Sequence, residues 1–439
     1  MKSDISGFPE FLPHEQIAFN KMTELIRSHF EMHGFIPMDT SAVERVSTLL
    51  SKGNDKEIYG LYRLGEPNGK NDLGLRFDLT VPLARYVSSN GGSLLFPFKR
   101  YQIAPVWRGE RPQFGRYRQF YQCDIDIIGD GTLSVAHDAE IISIIAGILK
   151  ALEIPPFVIK INNRKILCSF LARFIPQGRV ADAVIIIDKI DKIPNDEFEK
   201  SLLDLGITKD ALDKIKNYLD GDKKKDNADI INWLKQLAFG SEFVEGVAEI
   251  EETVQLLKKL GIDDRILKIS LGLARGLNYY TGTIFEVNMI DHPDIGSISG
   301  GGRYDNLTYM LSNKRYPGVG ATIGISRLFT KLLEKSLIKC DVTSTADVLV
   351  TVQNREFLSS YMKIAEKLRK IGIKAEVYLQ EKSLGAQVSY ASRRGYKFVL
   401  IANEVELLDG KAVLRNLDTK EQKIIRTEYV TKDVFSSFK

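Results

Sequence analysis

Four stretches of this 439-residue sequence concentrate side chains that bind or stabilise charge. The first is Leu73–Arg85, LGLRFDLTVPLAR. In an extended strand, successive side chains point to opposite faces. Arg76, Asp78 and Thr80 would then share one face, and Leu75, Phe77 and Leu79 the other. A carboxylate beside a hydroxyl can hold an ammonium group, although the segment alone reads equally as a solvent-facing strand. The second stretch is Lys99–Gly129, KRYQIAPVWRGERPQFGRYRQFYQCDIDIIG, two strands flanking a loop. From Lys99 to Arg118, six basic residues, Lys99, Arg100, Arg108, Arg111, Arg116 and Arg118, stand against one acid, Glu110, and arginine forks suit phosphates and the faces of bases. On the return strand Phe120, Gln122, Asp124, Asp126 and Ile128 share a face, the pattern of a lined pocket or of a solvated hairpin.

The third stretch, Ile269–Val287 (ISLGLARGLNYYTGTIFEV), joins a glycine-rich bend to Arg275, Tyr279 and Tyr280 ahead of a strand. Tyrosines at such positions also serve as packing. The fourth runs from SISGGGRYDNL at Ser297 to VGATIGISRL ending at Leu328. Successive glycines let a backbone approach a ligand closely. Arg327 follows Gly320 and Gly324 at the mouth of a helix, with neither a Walker lysine nor a Rossmann fingerprint.

These residues need elements to position them. Ile17, Met22, Leu25, Ile26 and Phe30 fall at helical spacing over 14–33, and Gly34 stops that helix. Leu73–Leu79 and Phe98–Ile128 predict strands, and Ser134–Leu152 a buried helix. From about Leu167 to Gly240 the texture turns amphipathic and helical around a charged run, Asp220–Asp226, with no catalytic constellation, which predicts a helical insertion. After Lys339 a strand, a helix at Phe357–Lys370, a strand, a helix at Gly385–Arg394 and a strand alternate, which predicts a separate small α/β domain with a parallel or mixed sheet.

A chain of this length requires two or three domains. Apolar and charged fractions of 44% and 27% are those of a globular protein, and no apolar run is long enough for a membrane span. The N-terminus carries no readable signal peptide. The three cysteines, Cys123, Cys168 and Cys340, are an odd and scattered set that argues against a disulfide framework or a zinc site and fits a reducing cytoplasm. Of the net charge of +4, residues 343–439 carry +5, with 17 Lys+Arg against 12 Asp+Glu. That bias suits a phosphate backbone or, equally, a solvated surface.

In this order the four segments resemble histidyl-tRNA synthetases, over nearly the whole chain. Residues 14–40 resemble motif 1 of the class II synthetases, Arg108-Gly109-Glu110 motif 2, and Gly318–Leu328 motif 3. LRFDLT, RPQFGRYRQFYQCDID and ARGLNYYTGTIFEV resemble the histidine-binding signatures of this one family. The resemblance implies an α+β fold. It comprises a class II antiparallel catalytic sheet over residues 1–336, a helical insertion at 167–240, and an α/β anticodon-binding domain at 343–439. It also implies ATP-dependent ligation of L-histidine to tRNA-His through a histidyl-adenylate, with ATP used together with Mg²⁺, in a cytoplasmic homodimer.

Residue by residue, Asp78 and Thr80 would hold the α-amino group of histidine, Gln122 its backbone, and Asp126 with Tyr280 its ring, with Tyr279 also among the histidine-binding residues. Arg108 would clamp the α-phosphate, Glu110 the adenine end, and Arg327 the γ-phosphate. Arg275 would sit beside the α-phosphate, supplying charge that a protein-bound metal gives elsewhere in the class, so no protein metal site is expected. Gln113 and Arg116 would meet the acceptor end of the tRNA. The chain departs from many members in having Asp at 78 and 126 where Glu is common, Asn278 for an acid, and Ser326 for the acid before the motif 3 arginine. A histidine-binding regulatory relative of histidine biosynthesis would lack the C-terminal domain and the counterpart of Arg275, and both are present.

Overall fold

A computed structural model describes residues 5–50, 57–65, 72–113, 115–190, 192–223, 225–275, 279–306, 314–428, 431, 432 and 435. Helix α1 (Pro13–Met32) follows the apolar spacing and buries Ile26 and Phe30, one turn apart. It ends at Gly34, whose positive φ lets Phe35 turn its N–H back to the Phe30 carbonyl. Strands β1 (Ile36–Pro37) and β2 (Val43–Arg45), the short helix α2 (Val46–Leu49) and strands β3 (Gly60–Leu61) and β4 (Leu73–Leu75) follow. β2, β4 and β3 form a small antiparallel sheet.

The strand expected over Leu73–Leu79 stops at Leu75, and helix α3 (Thr80–Asn90) begins five residues on. Asp78 is the reason. Its Oδ1 accepts the N–H of Val81, one of the donors that a first helical turn leaves unsatisfied, and Pro82 in that turn costs no hydrogen bond. Arg76, Asp78 and Thr80 therefore do not share a strand face. Arg76 is buried and donates to the carbonyls of Thr40 and Pro105, away from Asp78.

The expected hairpin is β5 (Phe98–Trp107) and β6 (Gln119–Ile128). Helix α4 (Ala136–Ala151) and strand β7 (Phe157–Asn163) lead into α5 (Arg164–Leu171), α6 (Val180–Ile187), α7 (Asn195–Leu203), α8 (Lys209–Leu219), α9 (Asn227–Leu237) and α10 (Ser241–Lys259). Thr208 caps α8 and Asp226 caps α9, so the charged Asp220–Asp226 run is the turn between two helices. Phe170 stacks on Tyr218 at 3.7 Å between centroids, and Trp233 packs against the same tyrosine.

The chain returns to the sheet through β8 (Leu267–Ile269), β9 (Thr283–Met289), β10 (Ser297–Tyr304) and β11 (Gly318–Ile323), then α11 (Ile325–Glu334). The sheet order is β1-β5-β6-β11-β10-β9-β7-β8. The six central strands are antiparallel, and β1 and β8 add parallel edges. Helix α4 packs on this sheet and buries Ile141, Ile142, Ile144, Ile145, Ile148 and Leu149. Each such side chain contributes about 1.5–3 kcal/mol by leaving water. At the start of α4, buried Asp138 accepts two nitrogens of Arg303 from β10, which pins the helix to the glycine-rich strand.

Contacts divide the chain into Met1–Pro9 with Met22–Leu337, and Glu10–Lys21 with Ile338–Lys439. The second unit holds β12 (Val348–Val350), α12 (Leu358–Lys370), β13 (Ala375–Val377), α13 (Leu384–Arg393), β14 (Phe398–Ile401), α14 (Glu404–Leu408), β15 (Lys411–Asn416) and β16 (Gln422–Arg426). Its sheet is mixed, in the order β13-β12-β14-β15-β16. Side-chain alternation shapes its two cores. Val348, Val350, Phe398 and Leu400 face Tyr361, Ile364 and Leu368 of α12, while Leu349 and Val399 face Ala391 of α13.

Candidate active site

Strand register builds the site. Asp126 on β6 lies opposite Arg100 on β5 and Gly320 on β11, and Asp124 lies opposite Gln102 and Thr322. A Cβ on Gly320 would stand 2.0 Å from Asp126 Oδ1, so only glycine leaves that carboxylate its room. Thr80, Asp124, Asp126, Tyr279, Tyr280, Tyr304 and Thr322 line a small cavity whose floor is Gly300, Gly301, Gly320 and Ala321. Of the residues expected to hold histidine, Thr80, Asp126, Tyr279 and Tyr280 are in that lining. Asp78 is buried close by, near enough to raise the pKa values of Asp124 and Tyr279 electrostatically. Gln122 donates to Thr322 Oγ1 at 3.5 Å, and its own Oε1 has no hydrogen-bond partner among the described residues.

The carboxylates differ in their partners. Asp126 binds Arg100 Nη2 at 2.7 Å and accepts the Tyr304 hydroxyl. Asp124 receives a hydrogen bond from Thr322, and its Oδ1 has no partner among the described residues. Burial pushes the Asp124 carboxyl up to about 7; Arg100 opposes that rise and Asp126 adds to it. Tyr304 is likewise pushed up, by burial and then by the negative charge of Asp126. Spacing alone missed three parts of this cluster. Spacing groups Arg100 with the phosphate-binding arginines, but it is fully buried and pairs with Asp126. Tyr304 lies 178 residues after Asp126 in the chain, and Thr322 comes from β11 opposite Asp124; the available signal is the cross-strand register, which a single sequence does not carry.

Of the arginines, Arg275 lies against the cavity's glycine floor. Arg275 has φ +35, rare for a residue with a side chain. Its guanidinium lies where a Cβ on Gly300 would stand, 2.3 Å from Nη1, and Glu286 is 3.7 Å away. Asn278 lies outside the described residues. Arg108 donates through Nε to the Phe77 carbonyl and stacks over Phe120 at 5.1 Å. Gln113 and Arg116 bond each other's backbones, forming a tight turn, and the Arg116 side chain pairs with Glu110. Arg327 donates to the Ile295 carbonyl at 2.7 Å, and burial followed by the neighbouring positive charge of Arg116 lowers its pKa. Two neighbouring guanidinium groups that repel each other suit a bound phosphate, even with Glu110 paired to Arg116. Ser326, where an acid is usual, accepts the Tyr121 N–H at 2.8 Å and so ties α11 to β6. Among the described residues no group of three or more His, Cys, Asp or Glu side chains is arranged to hold a metal.

The sheet, its glycine floor and the arginines around a carboxylate-lined cavity define an aminoacyl-tRNA synthetase catalytic core of class II. The histidyl-tRNA synthetase family model matches residues 7–328, and an anticodon-binding domain model matches 347–434. The histidine–tRNA ligase of Clostridium tetani is 42% identical, over 98% of this chain and 99% of its own. That of Stenotrophomonas maltophilia is 39% identical, over 95% and 94%. The crystal structure of histidyl-tRNA synthetase from a Nostoc species superposes with a TM-score of 0.87 at 36% identity, covering 98% of this chain and 97% of that one. A Bacillus halodurans protein described as an ATP phosphoribosyltransferase regulatory subunit/histidyl-tRNA synthetase shares the fold, with a TM-score of 0.74 at 20% identity over 91% and 97%. The chain belongs to the histidyl-tRNA synthetase family.

Proposed function

We propose that the cavity between β6, β10 and β11 binds L-histidine, and that the arginines beside it bind ATP. The reaction is ATP-dependent ligation of L-histidine to tRNA-His through a histidyl-adenylate, with release of AMP and pyrophosphate. The observation that carries the residue assignment is one lining that joins Thr80, Asp126, Tyr279 and Tyr280, with the Arg275 guanidinium against its glycine floor. Asp78 and Thr80 hold the ammonium group, Gln122 the backbone of the amino acid, and Asp126 with Tyr280 the ring, with Tyr279 completing the histidine-binding set.

In the first step a carboxylate oxygen of histidine attacks the α-phosphorus of ATP, and the bond to pyrophosphate breaks in line. Positioning and stabilisation of charge on phosphate oxygens do most of the work, and no protein nucleophile takes part. Arg108 and Arg275 face the α-phosphate, Arg327 the γ-phosphate, and Glu110 the adenine, with ATP entering as its Mg²⁺ complex. Glu110 pairs with Arg116, so engaging the adenine would exchange that ion pair and leave Arg116 for the tRNA end beside Gln113. In the second step a ribose hydroxyl of the terminal adenosine takes the histidyl group and AMP leaves.

We assign the catalytic core to residues 1–336 with the helical insertion at 167–240, and anticodon binding to 343–439. The matched anticodon-binding domain and the net +5 of that segment support this. A cytoplasmic homodimer through motif 1 completes the reading, supported by exposed Met32 and Ile36 at the end of α1 and on β1. Sedimentation at twice the chain mass of 49.5 kDa tests the dimer. Pyrophosphate exchange into ATP, run with each amino acid in turn, tests the activity. Histidine and Mg²⁺ dependence is expected; exchange with another amino acid and none with histidine would overturn the reading.

A further inference from the structure

The backbone that delivers Arg275 is gripped from two sides by side chains that line neither the histidine cavity nor the phosphate arginines. From the end of β7, fully buried Asn162 donates through Nδ2 to the carbonyls of Leu271 and Leu273, at 3.1 and 2.9 Å. Arg164, at the first turn of α5, donates through Nη1 to the carbonyl of Ala274 at 2.9 Å. From the turn between α8 and α9, Asp222 Oδ2 accepts the Leu271 N–H at 3.3 Å, and Ser270 also bonds that carboxylate. Buried Asn227, the first residue of α9, brackets β8: its Nδ2 donates to the Leu267 carbonyl and its Oδ1 accepts the Ile269 N–H. Side chains thus hold the Leu267, Leu271, Leu273 and Ala274 carbonyls and the Ile269 and Leu271 amides on the way to Arg275, which itself takes the unfavourable φ of +35. A strained dihedral persists where its surroundings over-determine it.

We infer that Asn162, Arg164, Asp222 and Asn227 are positioning residues for Arg275, and that Asp222 and Asn227 tie the helical insertion to the reacting end of the site. This deepens the proposed function and rests on Arg275 acting beside the α-phosphate. A guanidinium that stabilises a transition state must be held within a fraction of an ångström of its place, and here the hold comes through main-chain carbonyls and amides rather than through the side chain itself. The insertion contributes two of the four holding side chains, so a displacement of α9 reaches Arg275 through two hydrogen-bonded residues.

The test is histidine-dependent pyrophosphate exchange by the full-length protein. Asp222→Ala and Asn162→Ala are expected to lower kcat by about 3- to 30-fold, with the KM for histidine and for ATP changed by less than about twofold. Asp222→Asn restores most of the rate, because its amide oxygen still accepts the Leu271 N–H. Arg275→Ala is expected to be slow by itself, and adding Asp222→Ala or Asn162→Ala to it costs less than about a further twofold, since the shared pathway is already broken. If Arg275→Ala is slow but the losses multiply, or if they appear in the KM for histidine, the positioning inference is overturned and the role of Arg275 stands. If Arg275→Ala keeps the full rate, the role of Arg275 falls and the inference falls with it. Should Asn162→Ala not fold, as judged by circular dichroism, the Asp222 pair on its half-buried turn decides the matter alone.

Discussion

Asp124 and Asp126 sit two residues apart on one strand face, yet their surroundings give them different chemistry. Asp126 has a buried cation and a tyrosine hydroxyl to hold its charge, whereas Asp124 has a single threonine and an unpartnered oxygen. Removing Asp126 takes away the proposed ring acceptor and also strands Arg100, which is fully buried. Asp126→Ala is therefore expected to lower the efficiency of histidine activation by roughly one to three orders of magnitude, with ATP affinity little changed. Histidine-dependent pyrophosphate exchange beside direct ATP binding measures this. A folded variant with unaltered histidine dependence would move the ring contact to Asp124.

The raised pKa of Asp124 makes a separate prediction about the ligand-free protein. A carboxyl at about 7 when folded, against roughly 4 when unfolded, takes up a proton on folding between those values. Its contribution to stability is complete below the unfolded value and is lost as pH rises through about 7. Asp124→Asn removes that proton uptake. The fall in melting temperature from pH 5 to pH 8 should therefore be shallower in Asp124→Asn than in the parent, by calorimetry in the absence of histidine; equal slopes would mean that Asp124 ionises normally. Saturating histidine, whose cationic groups favour the ionised carboxyl, should flatten the parent curve as well.

Among the elements, α4 and β10 depend on each other through Asp138 and Arg303, both nearly fully buried. Burial pushes the Asp138 carboxyl up, and Arg303 opposes that shift without cancelling it. Removing one partner of a buried pair leaves an uncompensated charge, so Asp138→Ala should destabilise the chain by about 3–5 kcal/mol. Urea denaturation measures it. The double variant Asp138→Ala, Arg303→Met should recover much of the loss, because the stranded cation is gone; no recovery would assign the loss to packing around α4 instead. β10 also provides the glycine floor and Tyr304, so the Asp138→Ala protein that remains folded should bind histidine more weakly.

At the scale of the molecule, every residue assigned to adenylation precedes Ser336, and the basic segment follows it. A chain ending at Ser336 is expected to keep histidine-dependent pyrophosphate exchange while charging tRNA poorly. Glu10–Lys21 groups with the removed unit, so circular dichroism and sedimentation must first establish that the shortened protein is folded and keeps its association state. Charging of tRNA at the full-length rate by such a protein would remove the anticodon role from residues 343–439. Salt should weaken tRNA charging by the full chain more than it weakens exchange, because phosphate contacts release counterions.

Much of this molecule was determined by local sequence. The apolar spacing over 14–33 and 134–152 gave helices within two residues of their observed ends, and the period-two face of β6 named Gln122, Asp124 and Asp126 as one polar row. Those features depend on neighbours three or four residues away in a helix, or two away in a strand. The stretch from Arg76 to Thr80 misled because a side-chain cap competes with strand alternation, and Asp78 took the cap. The tertiary structure alone decided which partners each carboxylate meets, since Arg100, Tyr304 and Thr322 reach Asp126 and Asp124 from three other strands. It likewise decided how Arg275 is held, by Asn162 and Arg164 more than a hundred residues earlier and by Asp222 some fifty earlier. Hydrogen-bond partners and burial are properties of the folded register, and no spacing within a single segment encodes them.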